Sequence, residues 1–387
     1  MVDYQELMGW LSVPRPNGSQ AERQTRQALV GWLEGHSIPY RLHDFRLYPN
    51  FFIVIGVWLI LSRTLLALAI WLRWGWPTTV IALLGLLGGT VDVAFNIPLV
   101  GWPGATRGEN IIIQFEPRNP HQEIIFSAHY DTKSEFLDHR QRMFFIKNLP
   151  TGILLTILLG LLGPLDHTLL AINSAWAPIT YVAGILFSLP LLVLAWGLGL
   201  NLSLGRFSPP SQGAVDNGAA CAILLGLADR IQQGQLALES TRLTLAIFTG
   251  EEVNMQGSRA YTAGRDWPLP TLAVNLEVMA QDGSYVYWEQ DGTSLKLVPT
   301  SPQVNQVLAE TVADVTGSKA MPAGPVNSDG YSFLRVGVPA TTLGTYDTKW
   351  IDRGFHSPAD NLERVVMARL SEAVEILSRL AIKYDSG

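Results

Sequence analysis

Two long stretches of this chain carry almost no charge, and they constrain everything the rest can fold into. Residues from about Phe51 to Val100 and from about Leu149 to Leu202 are nearly continuous in apolar side chains. The remainder has the charge density of ordinary soluble sequence. Each block has room for two helices of about 20 residues, the length that crosses the hydrocarbon core of a bilayer. The first is expected to run over 51–72, turn at Arg73-Trp-Gly-Trp-Pro77 and return over 77–98. The second is expected to run over 149–164, turn through Pro164-Leu-Asp166-His167 and the polar stretch near Asn173, and return over 177–202. Arg63 falls near the middle of the first span, at a cost of about 2.5–3.5 kcal/mol on insertion scales. It must meet a partner, snorkel or mark a break, and Asp92 on the returning span is a candidate partner.

An even number of crossings returns the chain to one side each time, so a single soluble domain can close around both insertions. The expected organisation is one discontinuous domain over 1–50, 99–148 and 203–387, with hairpins at 51–98 and 149–202. Of 387 residues only 16% are charged, and the net charge is -6. No basic run or basic-aromatic stripe stands out, so nothing supports a nucleic-acid partner. The lone Cys221 rules out an internal disulfide and reads as part of an apolar helix face.

Five segments outside the apolar blocks carry metal-ligand chemistry. In Glu123-Ile-Ile-Phe-Ser-Ala-His129-Tyr-Asp131 an apolar strand-like run ends on a histidine, and Asp131 is placed to orient its ring. Gly213-Ala-Val-Asp216-Asn217-Gly218 puts a carboxylate before an apolar helix. Leu243-Thr-Leu-Ala-Ile-Phe-Thr-Gly250-Glu251-Glu252 and Leu272-Ala-Val-Asn-Leu-Glu277 are strands running into acids, and Gly354-Phe-His356-Ser-Pro sets a histidine in a loop. Singly, these read as a polar strand end, a helix cap or a solvated acid pair. Jointly they supply imidazoles, carboxylates and a spare acid beside a ligand, the inventory of a hydrolytic two-metal centre. Open α/β sheets present such groups at the carboxyl ends of strands.

The segment Gly250-Glu251-Glu252-Val-Asn-Met-Gln-Gly257-Ser258-Arg-Ala-Tyr261 resembles the signature of the co-catalytic di-zinc exopeptidases, the bacterial aminopeptidase and glutamate carboxypeptidase-like family. His129-x-Asp131, Asp216-Asn217, Asn275-Leu-Glu277 and His356-Ser-Pro-x-Asp360 resemble its other motifs in the same order, and Val13-Pro-Arg-Pro-Asn-Gly18-Ser19 is similar to its opening segment. The resemblance implies an α/β fold in three layers, helix, mixed sheet, helix, into which the two apolar blocks, by their length and composition, insert about four transmembrane helices as two hairpins. It implies two zinc ions, one held by His129 and Glu277, the other by Glu252 and His356, with Asp216 bridging and Glu251 as general base. Asn254 departs from a glycine common after the glutamate pair, and Glu277 stands where many relatives have aspartate.

The function expected is that of a membrane-embedded zinc aminopeptidase acting on peptides. The alternatives are a glutaminyl cyclase-like acyltransferase or an inactive peptidase-like receptor or scaffold. Arg335, Tyr346 and Arg353 are candidates to meet the substrate terminus, which separates aminopeptidase from carboxypeptidase. The partners expected are a peptide substrate and the lipid bilayer. Arg41, Arg46, Arg107, Lys133, Arg140, Arg142, Lys147 and Arg206 flank the spans on the catalytic side, against Arg73 alone on the other. By the positive-inside rule the catalytic domain is expected in the cytoplasm, and the opening Met1-Val-Asp-Tyr-Gln-Glu lacks the form of a signal peptide.

Overall fold

The computed structural model describes residues 2–95, 97–347 and 354–386. The chain divides into two compact units, one of Met1–Pro49, Ala105–Ser134 and Pro209–Gly387, the other of Asn50–Gly104 and Glu135–Ser208.

The first unit is built on a mixed sheet. Strands β1 (Tyr40–Leu47), β2 (Thr106–Phe115), β4 (Thr241–Phe248), β3 (Gln122–His129), β5 (Thr271–Leu276), β9 (Ala340–Tyr346), β6 (Ser284–Thr293) and β7 (Lys296–Pro299) lie in that order, and β8 (Met321–Val326) also pairs with β6. The central run β4-β3-β5-β9 is parallel, and its neighbours β2 and β6 join it antiparallel. Both faces of these strands are buried, which is why they read as unbroken apolar runs rather than alternating ones. Ile124, Phe126, Leu245 and Ile247 face one core with helices α1 (Tyr4–Leu11), α2 (Gln20–Gly35), α8 (Ala219–Gln232), α10 (Pro302–Thr316) and α12 (Met367–Asp385). Ile125, Ala246 and Phe248 face the other, with Tyr261 of α9 (Gln256–Ala263) and Phe333 of α11 (Gly330–Arg335). The unit is thus helix, sheet, helix, and β3, β4 and β5 release the segments that carry His129, Glu251, Glu252 and Glu277 at one edge.

The second unit contains α3 (Phe51–Trp71), α4 (Trp76–Phe95), α5 (His139–Lys147), α6 (Leu149–Ala171) and α7 (Ala177–Leu204). All but α5 are long and apolar enough to cross a membrane. Their close packing depends on small residues. A Cβ added to Gly56 of α3 would lie 2.6 Å from the carbonyl oxygen of Gly199 in α7, and one on Gly199 would lie 2.8 Å from that of Gly56.

Two expectations for this unit are corrected. The turn expected at 164–167 is helix: α6 runs through Pro164 to Ala171, and the connection is 172–176. Proline at 164 has no N–H for the carbonyl of Gly160, and Thr79 Oγ1 donates to that oxygen instead, at 2.6 Å. Asp166 stays inside the helix because it pairs with Arg73 at 3.4 Å and accepts from Thr180 Oγ1 at 2.9 Å. Arg63 and Asp92 do not meet. Asp92 accepts the N–H groups of Leu99, Val100 and Gly101 at 2.9, 3.0 and 2.7 Å, which closes the end of α4. Arg63 is buried against α4, donates to Ser62 Oγ at 3.0 Å, and has room there because position 85 is glycine.

Candidate metal centre

His129 is the last residue of β3, Glu251 and Glu252 follow β4 by three and four residues, and Glu277 follows β5 directly. These neighbouring parallel strands aim three loops at one place, to which Asp216 and His356 come from loops before α8 and before α12. Asp216 is not a helix cap. It sits with extended backbone in the turn Ala214–Gly218, and Asp360 holds that turn by accepting the N–H of Val215 at 2.7 Å and of Asp216 at 3.3 Å.

The five residues form two groups that share Asp216: His129, Asp216 and Glu277, and Asp216, Glu252 and His356, all buried. His129 Nε2 lies 3.3 Å from Asp216 Oδ1 and 3.3 Å from Glu277 Oε1. His356 Nε2 lies 3.2 Å from Asp216 Oδ2 and 3.1 Å from Glu252 Oε1. Donor atoms about 2.0–2.1 Å from a tetrahedral zinc stand about 3.3 Å from one another, so these spacings are the edges of such a polyhedron. Asp216 Oδ2 and Glu252 Oε1 are buried and accept no hydrogen bond. Leaving such oxygens bare inside a protein is costly unless a cation takes them. With Glu251 the site holds four carboxylates and two imidazoles, and among the described residues no lysine or arginine pairs with any of the four. The residues fit two divalent ions of borderline softness.

Glu251 stands outside both groups, with Oε2 4.0 Å from His129 Nε2. Burial pushes its carboxyl well up, helped by Glu252 and Glu277 and opposed by His129. Burial likewise raises Glu277, to about 8, against the pull of His129. At Asp216 burial also raises the carboxyl, but its contacts with His129 and His356 outweigh that and hold it below the usual carboxylate range. The carboxyl groups of one site therefore differ with the number of imidazoles each one faces.

Asp131 does more than face the ring of His129, where its Oδ1 is 3.5 Å from Nδ1. Its carboxylate also accepts the backbone N–H of Glu252 at 3.0 Å and of Glu251 at 3.4 Å, and the Asn17 amide at 2.7 Å. One buried carboxylate thus sets the His129 loop and the Glu251-Glu252 loop together. Asn254 has φ +82°, the left-handed region where asparagine substitutes for glycine with little strain.

Arg15 is the residue that sequence reasoning passed over. Its guanidinium, fully buried, donates to five backbone carbonyls: Nε to Tyr130 at 2.5 Å, Nη1 to Leu11, to Val13 at 2.7 Å and to Gln212 at 3.0 Å, and Nη2 to Gly213 at 3.0 Å. It ties the His129 loop to the Asp216 loop. The available signal was an arginine between two prolines with no acid nearby in sequence. Asn17 and Glu22, from the same segment, reach Asp131 and Thr249. Arg335 lies over the ring of Tyr331 at 5.9 Å and Tyr346 ends β9. Among the described residues neither forms a hydrogen bond or ion pair with His129, Asp216, Glu252, Glu277 or His356, and Arg353 lies outside them.

Residues 201–381 match peptidase family M28. No curated protein sequence matches the chain significantly. Among solved structures, a leucine aminopeptidase precursor from Bacteroides thetaiotaomicron VPI-5482 is similar at TM-score 0.55 and 12% identity, over 98% of this chain and 94% of that one. A Zn-dependent exopeptidase from Parabacteroides distasonis ATCC 8503 is similar at 0.55 and 12%, over 98% and 96%. The glutaminyl cyclase of Porphyromonas gingivalis is similar at 0.54 and 12%, over 98% and 95%. At such identities the likeness is one of fold.

Proposed function

Starting from a chain that resembles the co-catalytic di-zinc exopeptidases in motif order and shares their fold, we propose that it is a membrane-embedded zinc exopeptidase, an aminopeptidase that hydrolyses peptide bonds. The observation that carries this is the pair of three-ligand groups joined at Asp216, with a fourth carboxylate, Glu251, beside them and in neither. His129 and Glu277 would hold one ion, Glu252 and His356 the other, and Asp216 both. Zinc there would supply Lewis acidity, polarising the scissile carbonyl and lowering the pKa of a water.

The chain's own groups do the rest. Glu251 takes the proton of the attacking water and passes it to the departing amine. Asp131 keeps His129 in one orientation and, through the N–H groups of Glu251 and Glu252, keeps the base in register with the ligands. No side-chain nucleophile is required. An inactive scaffold role would leave these buried carboxylates without purpose. The glutaminyl cyclase reading shares the fold, and a single occupied ligand group would favour it.

The experiment is a panel of aminoacyl and N-blocked dipeptides plus an N-terminal glutamine peptide, each with and without chelator. Release of free amino acids from unblocked substrates, lost with chelator and restored by zinc, is the expected result. Cyclisation of the glutamine peptide without hydrolysis of the others would replace this reading with the cyclase one.

The bilayer as partner rests on the second unit. Helices α3, α4, α6 and α7 are 21, 20, 23 and 28 residues long. Exposed tryptophans cluster at the turns between them, Trp74, Trp76 and Trp176, as interfacial residues do. We place the catalytic unit in the cytoplasm on the charge asymmetry of the flanks. A reporter active only outside the cytoplasm, fused after residue 387, should stay silent, and strong activity would reverse the orientation.

A further inference from the structure

One face of α5 carries a pattern that the peptidase site does not use. Arg140, Phe144 and Lys147 stand at i, i+4 and i+7, so they share a stripe one side chain wide. All three are exposed, Phe144 by 57%. The opposite side of the helix is the one that packs. Phe145 lies against Gly197 of α7, where a Cβ would come within 2.1 Å of its ring, and Arg142 donates to Glu135 at 2.6 Å. The capping box at Asp138 and Gln141 fixes where the helix starts, and Asn148 alone separates it from α6.

The same end of the bundle repeats the pattern. α3 and α7 run antiparallel, since Gly56 meets Gly199 and Ile70 meets Gly184, and α4 and α6 do likewise, since Ala82 meets Gly160 and Thr78 meets Gly163. The end of α7 therefore lies at the end where α6 begins. There Arg206 sits 4.7 Å from the ring of Phe207, which is 70% exposed. Arg140, Lys147 and Arg206 form no ion pair among the described residues. At the other end the one arginine, Arg73, is paired with Asp166. Charge is thus neutralised at one end of the bundle, whereas at the other Arg142 is paired with Glu135 but Arg140, Lys147 and Arg206 form no ion pair among the described residues.

The geometry points to a headgroup-binding collar: α5 lies in the membrane interface, with Phe144 and Phe207 entering the acyl boundary and Arg140, Lys147 and Arg206 binding the phosphates of anionic phospholipids. Aromatics flanked by cations suit that layer, because the ring is driven out of water while each cation gains from a negative surface. Continuity with α6 places α5 at headgroup depth, and bare cations next to exposed rings fit an anionic lipid better than a neutral one. The inference rests on the reading that the bundle spans a bilayer.

The test uses the full chain in nanodiscs of phosphatidylcholine alone or with one third phosphatidylglycerol, and reads hydrogen exchange over residues 139–147. Phosphatidylglycerol should slow exchange there by at least about five-fold, the factor expected of one basic residue at such a surface. The R140Q/K147Q variant should lose that difference, and 0.5 M salt should shrink it in the parent, with ~0.5 M being enough to cut the screening length to a few ångströms. Phe144→Ala should raise exchange in both lipids and leave their ratio unchanged. Equal exchange in the two lipids, or a difference that survives R140Q/K147Q, would overturn the inference. An alkaline carbonate wash separates the two levels of the argument: release of the chain from membranes defeats the spanning reading, whereas retention without lipid discrimination defeats only the collar.

Discussion

His356 Nε2 stands 3.2 Å from Asp216 Oδ2, yet that oxygen accepts no hydrogen bond, while the other oxygen of Asp216 faces His129 at 3.3 Å. A carboxylate that offers one oxygen to each of two imidazoles is arranged for cations between them rather than for the imidazoles themselves. Replacing Asp216 by alanine should therefore remove metal from both positions, since two ions would then face each other with no shared anion. Elemental analysis of the purified variant checks this. Retention of two equivalents would show that Asp216 is not the bridge.

Glu251→Gln should behave differently. It removes a base and no ligand, so metal content should stay at the parent level while turnover falls by about two to four orders of magnitude. Measuring both on the same preparation is essential, because near-normal turnover would remove Glu251 from the role of base, and loss of metal would make it a ligand.

How much of this was legible in the sequence depended on whether a residue acts by its type or by its surroundings. The strands β3, β4 and β5 announce themselves as apolar runs ending in a histidine or acids, so the central sheet and the five residues that the structure brings together could be read without coordinates. Strands β1, β6, β7 and β8 could not. Their burial is partial, as in the Tyr40–Leu47 run of mixed polar and apolar residues, and their pairing is decided by tertiary contact. Arg15 was invisible for a related reason: its partners are backbone carbonyls, which every residue has. Pro164 misled because proline usually marks a turn, whereas here the helix continues and a hydroxyl on another helix, Thr79, takes the carbonyl that the proline leaves without its N–H.

Arg15 should prove sensitive to a change that preserves its charge. A lysine ammonium cannot reach carbonyls on both the Tyr130 and Gly213 sides at once. We expect Arg15→Lys to fold but to bind zinc about 10–100-fold more weakly, the usual effect of disturbing groups behind the ligands. Competition against a chromogenic chelator measures it, and unchanged affinity would confine Arg15 to packing. Arg15→Ala should fail to fold, because five carbonyls lose their donor.

Stability should fall as pH rises from about 4 to 7 through Asp291. Burial raises its carboxyl from the ordinary value to about 7, although Ser328 donates from N–H and Oγ at 3.0 and 2.6 Å and Gly292 from N–H at 2.7 Å. Between the unfolded and folded values the native state holds a proton that the unfolded chain has lost. The favourable contribution is therefore complete at low pH and decreases by about 1.4 kcal/mol per pH unit until the folded group ionises near 7. In Asp291→Asn this component disappears, so the drop in melting temperature between pH 5 and 7.5 should be smaller than in the parent. An equal drop in both would assign the pH dependence to other groups.

The bond from Thr79 Oγ1 to the carbonyl of Gly160 can be tested as a replacement for the one Pro164 cannot make. Thr79→Val keeps the shape and removes the donor, leaving that carbonyl bare inside an apolar bundle, and should cost about 0.6–1.7 kcal/mol, the range found for such bonds between membrane helices. Pro164→Leu restores an N–H at the position four residues after Gly160, so the carbonyl regains a partner within its own helix. The two changes should then be non-additive: Thr79→Val should be markedly less harmful in the Pro164→Leu background than in the parent. Melting temperatures of the four proteins in one detergent complete the cycle. Simple additivity would mean that the hydroxyl stabilises α4 against α6 for some reason unconnected with the proline.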